Sequence, residues 1–209
     1  MALLIRTLLA TLLALAAALA AAGDARFMAL SYHEVLADDE PLTPTAVRAS
    51  DLARQFAWLQ ANDFHPVSVD QILAARADGP PLPPNAILLT FDDGKKDVYT
   101  RAFPLLTLFG YPAVIALVGK WMDAPPGQMV DYDGEPLPRS DFVTWEQVRE
   151  MQASGLIEVA SHSYDLHHGI IANPQGNTQP AATTRLYANG RYEDDAAYLA
   201  RLRADLRDS

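Results

Sequence analysis

The chain has 209 residues, 26 acidic against 16 basic side chains, a formal net charge of −10 and no cysteine. Disulfides, thiolate metal sites and a lipid-bearing cysteine are thereby excluded, so any metal must sit on His, Asp or Glu. The acidic balance argues against nucleic acid or an anionic membrane as the main partner, and suits a neutral or cationic substrate.

Residues 1–22 carry a single charge, Arg6, followed by an unbroken Leu/Ala-rich run that ends in Ala20-Ala21-Ala22. A charge, an apolar stretch and a small-residue exit are the parts of a secretory signal peptide. The run approaches the roughly 20 residues that span a bilayer, but its alanine content and its exit favour cleavage over an anchor. The expectation is a periplasmic or secreted chain with no stable membrane anchor after cleavage. What remains is enough for one domain with a real core and too little for two.

Residues 26–32 have the short apolar and aromatic character of a strand, which runs into His33-Glu34 and a loop rich in Asp and Pro. Ser50 is expected to cap a helix in which Leu52, Phe56 and Leu59 recur at helical spacing. A short strand at 66–69 and a helix at 70–76 follow, and the prolines of 78–84 enforce irregular chain. Residues 86–91 form a near-continuous apolar run, as in a strand buried on both faces, and it ends in Asp92-Asp93-Gly94. A helix at 98–109 is stopped by Gly110, and a second buried strand occupies 112–118. A Gly/Pro/Asp loop leads to about residue 141, and Thr144-Trp-Glu-Gln147 is a capping box opening a helix that stops at Gly155. The strand 156–160 delivers Ser161-His162, a long polar loop spans 167–191, and Tyr198, Leu199, Leu202 and Leu206 share one helical face. Strand and helix alternate without an internal repeat, which predicts a parallel sheet or (β/α) barrel.

In such folds reactive residues gather where strands end. Asp92-Asp93 and His162 both follow predicted strands, so two segments far apart in sequence are expected to meet. Adjacent carboxylates at a strand end point different ways; one can bind a cation while the other faces water. Gly94 permits a sharp turn and close approach. The segment 162–168 packs three of the five histidines into seven residues. Two His and one Asp form the ligand set of a catalytic divalent metal with open positions, and zinc, iron, cobalt or nickel are all compatible.

Thr90-Phe-Asp-Asp-Gly94 and Ser161-His162-Ser163 with a later histidine resemble the two metal motifs of the NodB-type polysaccharide deacetylases. The resemblance implies a distorted (β/α) barrel of that type, Asp92 as catalytic base, and Asp93, His162 and His167 as metal ligands. The usual family spacing between the histidines would fall on Leu166. The longer spacing, in Leu166-His-His-Gly169, is similar to the exopolysaccharide subgroup that deacetylates poly-β-1,6-N-acetylglucosamine, as are Leu30-Ser-Tyr-His-Glu-Val35 and Pro180-Ala-Ala-Thr-Thr-Arg-Leu-Tyr187. His167 is chosen on this resemblance, with His168 the alternative. The resemblance also places His33 near the site, as general acid for the leaving amine.

It covers residues 26–209, with later family motifs unmatched after 169, so the expectation is a domain incomplete at its C-terminus, of low activity by itself. Lys95, Lys96 and Arg185 are candidates for substrate contact, and Trp121, Tyr132 and Trp145 for stacking on sugar rings, with core packing the default for Trp145. The implied reaction is hydrolysis of N-acetyl groups on an N-acetylglucosamine polysaccharide; peptidoglycan or chitin oligomers, or a non-catalytic carbohydrate-binding role, are the alternatives. A glycosidase is disfavoured because adjacent carboxylates cannot flank one bond from its two sides.

Overall fold

The computed structural model describes residues 26–132 and 134–209; the signal-peptide expectation lies outside them. In chain order the strands and helices begin with β1 (Met28–Tyr32), β2 (Glu34–Leu36), β3 (Ala46–Arg48), α1 (Ala49–Ala61), β4 (His65–Pro66), α2 (Val69–Arg76) and β5 (Ala86–Phe91). A π-helical turn, Val98–Ala102, then runs directly into α3 (Phe103–Phe109). Pro104 has no N–H to return to the carbonyl one turn back and its ring crowds that carbonyl, which accounts for the widened turn before it. Next come β6 (Ala113–Leu117), α4 (Gly119–Asp123), β7 (Met129–Tyr132), β8 (Glu135–Pro138), α5 (Trp145–Ala153) and β9 (Ile157–Ser161). The last part holds β10 (Gly169–Ile171), β11 (Thr178–Pro180), β12 (Tyr187–Ala188), β13 (Arg191–Tyr192) and α6 (Asp195–Asp208).

The central sheet is parallel throughout and ordered β1-β5-β6-β9. β4 pairs only with the start of β5, while β6 pairs with its end. Among the described residues β1 and β9 do not pair with each other, so the sheet is an open arc of a distorted barrel.

The apolar run of β5 serves two cores, because its side chains alternate. Ile87, Leu89 and Phe91 enter the main core with Leu52 and Phe56 of α1, Leu106 of α3, and Val148 and Met151 of α5. Ala86 and the partly buried Leu88 belong to a smaller cluster with Val67, Ile72 and Leu82. Each fully buried large side chain contributes about 1.5–3 kcal/mol of burial free energy, and this packing fixes the height at which β5 and β6 end.

Helix boundaries follow their caps. Thr144 and Gln147 form the expected reciprocal capping box, Ser68 and Gln71 form a second, and Gly110 ends α3 in the left-handed conformation at φ 66°. Ser50 is not a cap: α1 starts at Ala49, and the Ser50 N–H is instead satisfied by the Asp38 carboxylate from the preceding loop. Hydrogen bonds from Ser50 hold that Asp38 carboxyl below its ordinary range.

Two expected loops contain structure. The segment before residue 141 carries α4 and the antiparallel β7–β8 hairpin, and the polar stretch after His167 folds into the β10–β11 and β12–β13 hairpins. Asn189 and Gly190 turn the last of these with φ 53° and 77°, the pair that a two-residue hairpin requires. The apolar face expected of α6 is not buried: Leu199 and Leu206 are exposed. That helix docks through polar groups instead. Asp205 accepts hydrogen bonds from the Tyr164 and Asp165 amides, and Arg201 donates to the Ala181 and Thr184 carbonyls and to Glu193.

Candidate metal centre and active site

β5, β6 and β9 deliver their C-terminal ends to one rim. Asp92 leaves β5 there, its amide donating to the Tyr32 carbonyl at 2.8 Å and its Oδ2 accepting from Ser31 Oγ at 2.7 Å. Tyr32 is paired with Phe91, so His33 and Asp92 each lie one residue beyond neighbouring strands, both half-buried.

Asp93 then turns away with φ 73°, a left-handed conformation that costs a non-glycine residue energy, and Gly94 follows at φ 72°. Asp93 thus lies in a strained turn beyond the last residue of β5, where the regular alternation of a strand has ended. A side chain at Gly94 would place its Cβ 2.6 Å from Leu117 Cδ2, so the turn is pressed against the end of β6.

The rest of the site comes from the segment after β9. The His162 amide donates to the Leu117 carbonyl, and the Gly119 and Lys120 amides donate to the Ser163 and Tyr164 carbonyls, tying this turn to the end of β6. Ser163, at φ 111°, is the second strained residue of the rim. The chain thereby brings His162 and His167 over Asp93. Asp93 Oδ1 lies 3.6 Å from His162 Nε2 and 3.3 Å from His167 Nε2, and one ligand atom from each residue falls within 4.8 Å of the others. His168 is not one of the three: it is exposed, its backbone carbonyl accepts from Ala181, and it lines the cavities beside the site.

Asp93 is 1 % exposed, and its Oδ1 is buried and receives no hydrogen bond. A buried anionic oxygen without a donor is costly, and here it faces two imidazole nitrogens. The three groups fit a divalent cation, which would satisfy all of them at once. The other carboxylate oxygen is occupied, since Tyr132 Oη donates to Oδ2 at 2.6 Å.

An aromatic wall holds His167. Trp121 meets its ring edge-on at 5.0 Å, Tyr132 stacks at 6.5 Å, and Trp121 packs on Phe142 at 5.4 Å. Trp121 is buried, whereas Trp145 is 44 % exposed on the first turn of α5, the reverse of the core role expected of it. Lys95 is also not placed for substrate. It is 7 % exposed, with Nζ 4.3 Å from the Tyr132 ring centroid and 3.6 Å from Glu34. Arg185 is tied to Asp195, and Lys96 remains exposed. Near Lys95, burial pushes the Asp97 carboxyl up to about 7, Glu34 adds to the rise, and the Val35 amide, Arg101 and Lys95 oppose it.

Two cavities meet at the histidines. One of about 660 Å³ is bounded by Trp121, Asp123, Asp131 and Tyr164, the other of about 440 Å³ by Ser163, Thr178 and Gln179, and both are lined by His167. Sequence reasoning gave Tyr132 only a stacking role. A usable signal was the Tyr-Asp-Gly-Glu stretch at 132–135, because Asp-Gly between extended segments marks a hairpin.

The polysaccharide deacetylase family profile matches residues 79–195, which include both site segments. The chain belongs to the polysaccharide deacetylase family. It is 45 % identical over 181 residues to poly-β-1,6-N-acetyl-D-glucosamine N-deacetylase of Escherichia coli, covering 86 % of this chain and 27 % of that protein. The chain thus spans about a quarter of the length of that relative. The same fold is seen in a de-N-acetylase from Aggregatibacter actinomycetemcomitans, at TM-score 0.82 and 41 % identity over 88 % of this chain and 72 % of that one. The BpsB deacetylase domain of Bordetella bronchiseptica matches at TM-score 0.77 and 47 % identity, over 90 % and 74 % of the two chains.

Proposed function

We propose that the chain is a metal-dependent N-deacetylase acting on an N-acetylglucosamine exopolysaccharide, with poly-β-1,6-N-acetylglucosamine the preferred substrate. The observation that carries this is the buried Asp93 Oδ1 facing the Nε2 atoms of His162 and His167, with Asp92 next in sequence on the same rim. The relatedness to a protein named for that polysaccharide supports the substrate class. Asp93, His162 and His167 would hold a divalent ion, which when bound would supply Lewis acidity toward the acetyl carbonyl and water. Zinc, iron, cobalt and nickel all suit these ligands.

The chain's own groups manage the protons. Asp92, steadied by the Ser31 hydroxyl, takes a proton from the attacking water. His33, one residue beyond β1 on the neighbouring strand end, gives a proton to the nitrogen as the C–N bond breaks. Acetate and a free glucosamine amine are the products. The two cavities that share His167 in their linings give room beside the site for neighbouring sugar units.

The leader-like residues 1–22 support a periplasmic or secreted location. The test is acetate release from poly-β-1,6-N-acetylglucosamine, peptidoglycan and chitin oligomers by metal-loaded protein. Release that is highest on the first substrate, and lost in Asp92→Asn while metal is retained, is the expected result. Undiminished release by Asp92→Asn would overturn the assigned base, and preference for either other polymer would overturn the substrate.

A further inference from the structure

Asp93 divides its two oxygens between different tasks. Oδ1 faces the imidazoles, and Oδ2 accepts the Tyr132 hydroxyl at 2.6 Å. We propose that Tyr132 is a positioning residue that holds Asp93 to the metal through one oxygen, and that buried Lys95 seats Tyr132 for this task. The inference rests on the metal-centre reading and assigns residues beyond its three ligands.

Tyr132 is poorly suited to binding sugar. Its ring is packed by Trp121 at 5.0 Å and Phe142 at 6.2 Å, and Lys95 Nζ lies 4.3 Å from its centroid. An ammonium so buried needs compensation, which here comes from the ring faces of Tyr132 and Phe142 and from Glu34 at 3.6 Å. Glu34 is itself steadied by Thr43 Oγ1 at 2.9 Å. The result is a continuous series of contacts, Glu34 to Lys95 to Tyr132 to Asp93, that begins at the residue following His33. The backbone reinforces it, since Lys95 forms a β-bridge with Phe142.

The hydroxyl has a specific consequence. With Oδ2 engaged, the carboxylate cannot rotate to offer both oxygens without losing a hydrogen bond in a water-poor site. Outer groups of this kind orient ligands, and their loss typically weakens metal binding about 10–100-fold. Tyr132→Phe removes only the hydroxyl and keeps the packing. Its Asp93 is therefore free to turn.

The probe is Co²⁺ added to the purified metal-free full chain, with affinity measured by chelator competition and ligand geometry by the visible absorption of the bound ion. Expected are a Co²⁺ affinity for Tyr132→Phe about 10–100-fold below that of the wild type and weaker, shifted visible bands, as the coordination number rises. Glu34→Gln/Lys95→Met, which keeps the phenol but loosens its seat, should move both readouts part of the way. Tyr99→Phe removes a phenol that donates to Glu150 instead, and should move neither. Wild-type affinity and spectrum in Tyr132→Phe would overturn the proposal. A fall in affinity that only tracks lower metal-free thermal stability, with unchanged bands, would also overturn it. Failure of the wild type itself to bind Co²⁺ would overturn the metal-centre reading and this inference together, an outcome distinct from failure at Tyr132 alone.

Discussion

His167 Nε2 lies 3.3 Å from the buried Oδ1 of Asp93, while the next residue, His168, faces solvent. Oδ1 receives no hydrogen bond, so the two atoms approach each other as two candidate ligand atoms of one site. Two adjacent histidines are thus separated by their surroundings: Trp121 and Tyr132 enclose one, and the backbone of the other is committed to the β10–β11 hairpin.

The first prediction follows directly. His167→Ala should weaken metal binding by more than the about 10–100-fold typical of an outer group, because it removes one of three ligands. His168→Ala should leave affinity within about twofold of wild type. Bound metal per chain, measured by elemental analysis after dialysis, separates the two. Equal loss in both variants would remove His167 from its assigned place.

A second prediction concerns pH. The Asp97 carboxyl is raised by burial from an ordinary 3.8 to about 7. Between about pH 4 and pH 7 the folded chain keeps this proton after the unfolded chain has lost it. Folding then takes up a proton, so this group makes stability fall as pH rises through that window and level off above it. Asp97→Asn should flatten that part of the profile and raise stability at pH 8 by on the order of 2–4 kcal/mol. Urea midpoints at pH 5, 6, 7 and 8 give the comparison. Parallel profiles for the two proteins would rule out the burial account.

The parts of this architecture that were legible in sequence are those where local chemistry and burial agree. The β5 run from Ala86 to Phe91, its abrupt end in Asp92-Asp93-Gly94, and the Thr144–Gln147 capping box each carry their own signal. The site was legible as two segments because reactive residues follow buried strands. What sequence could not convey is long-range: Tyr132 reaches Asp93 across 39 positions, and Asp205 reaches Tyr164 across 41. The apolar spacing of Leu199, Leu202 and Leu206 pointed to a buried face, but α6 is held by Asp205 and Arg201, whose hydrogen bonds decide its orientation. Ser50 likewise matches a cap in type, yet the carboxylate that serves its amide comes from Asp38 in the preceding loop.

The docking of α6 gives a third prediction. Asp205 is 7 % exposed and satisfies the amides of Tyr164 and Asp165, in the turn that leads to His167. Asp205→Ala leaves both donors in a partly buried place, at a cost of about 1–3 kcal/mol each if no water replaces the carboxylate. Amide hydrogen exchange at Tyr164 and Asp165 should quicken markedly, with exchange in β5 unchanged at matched stability. Metal affinity should fall as well, because His167 loses a fixed approach. Protection of those two amides at the wild-type level would show that α6 is not what holds the turn.

The fourth prediction separates two demands made on Gly94. Its φ of 72° is costly for any residue with a Cβ, and an added Cβ would also lie 2.6 Å from Leu117 Cδ2. The first effect costs about 1–2 kcal/mol and the second about 1–3 kcal/mol, so Gly94→Ala should lose roughly 2–5 kcal/mol in urea unfolding. Only the second depends on Leu117. In a Leu117→Ala background the contact disappears, and Gly94→Ala should then cost only the backbone term of about 1–2 kcal/mol. The difference between the two costs is the coupling energy of a double-mutant cycle. A cycle with no coupling would show that the left-handed turn alone demands glycine, and that β6 does not press on the strand end carrying Asp92 and Asp93.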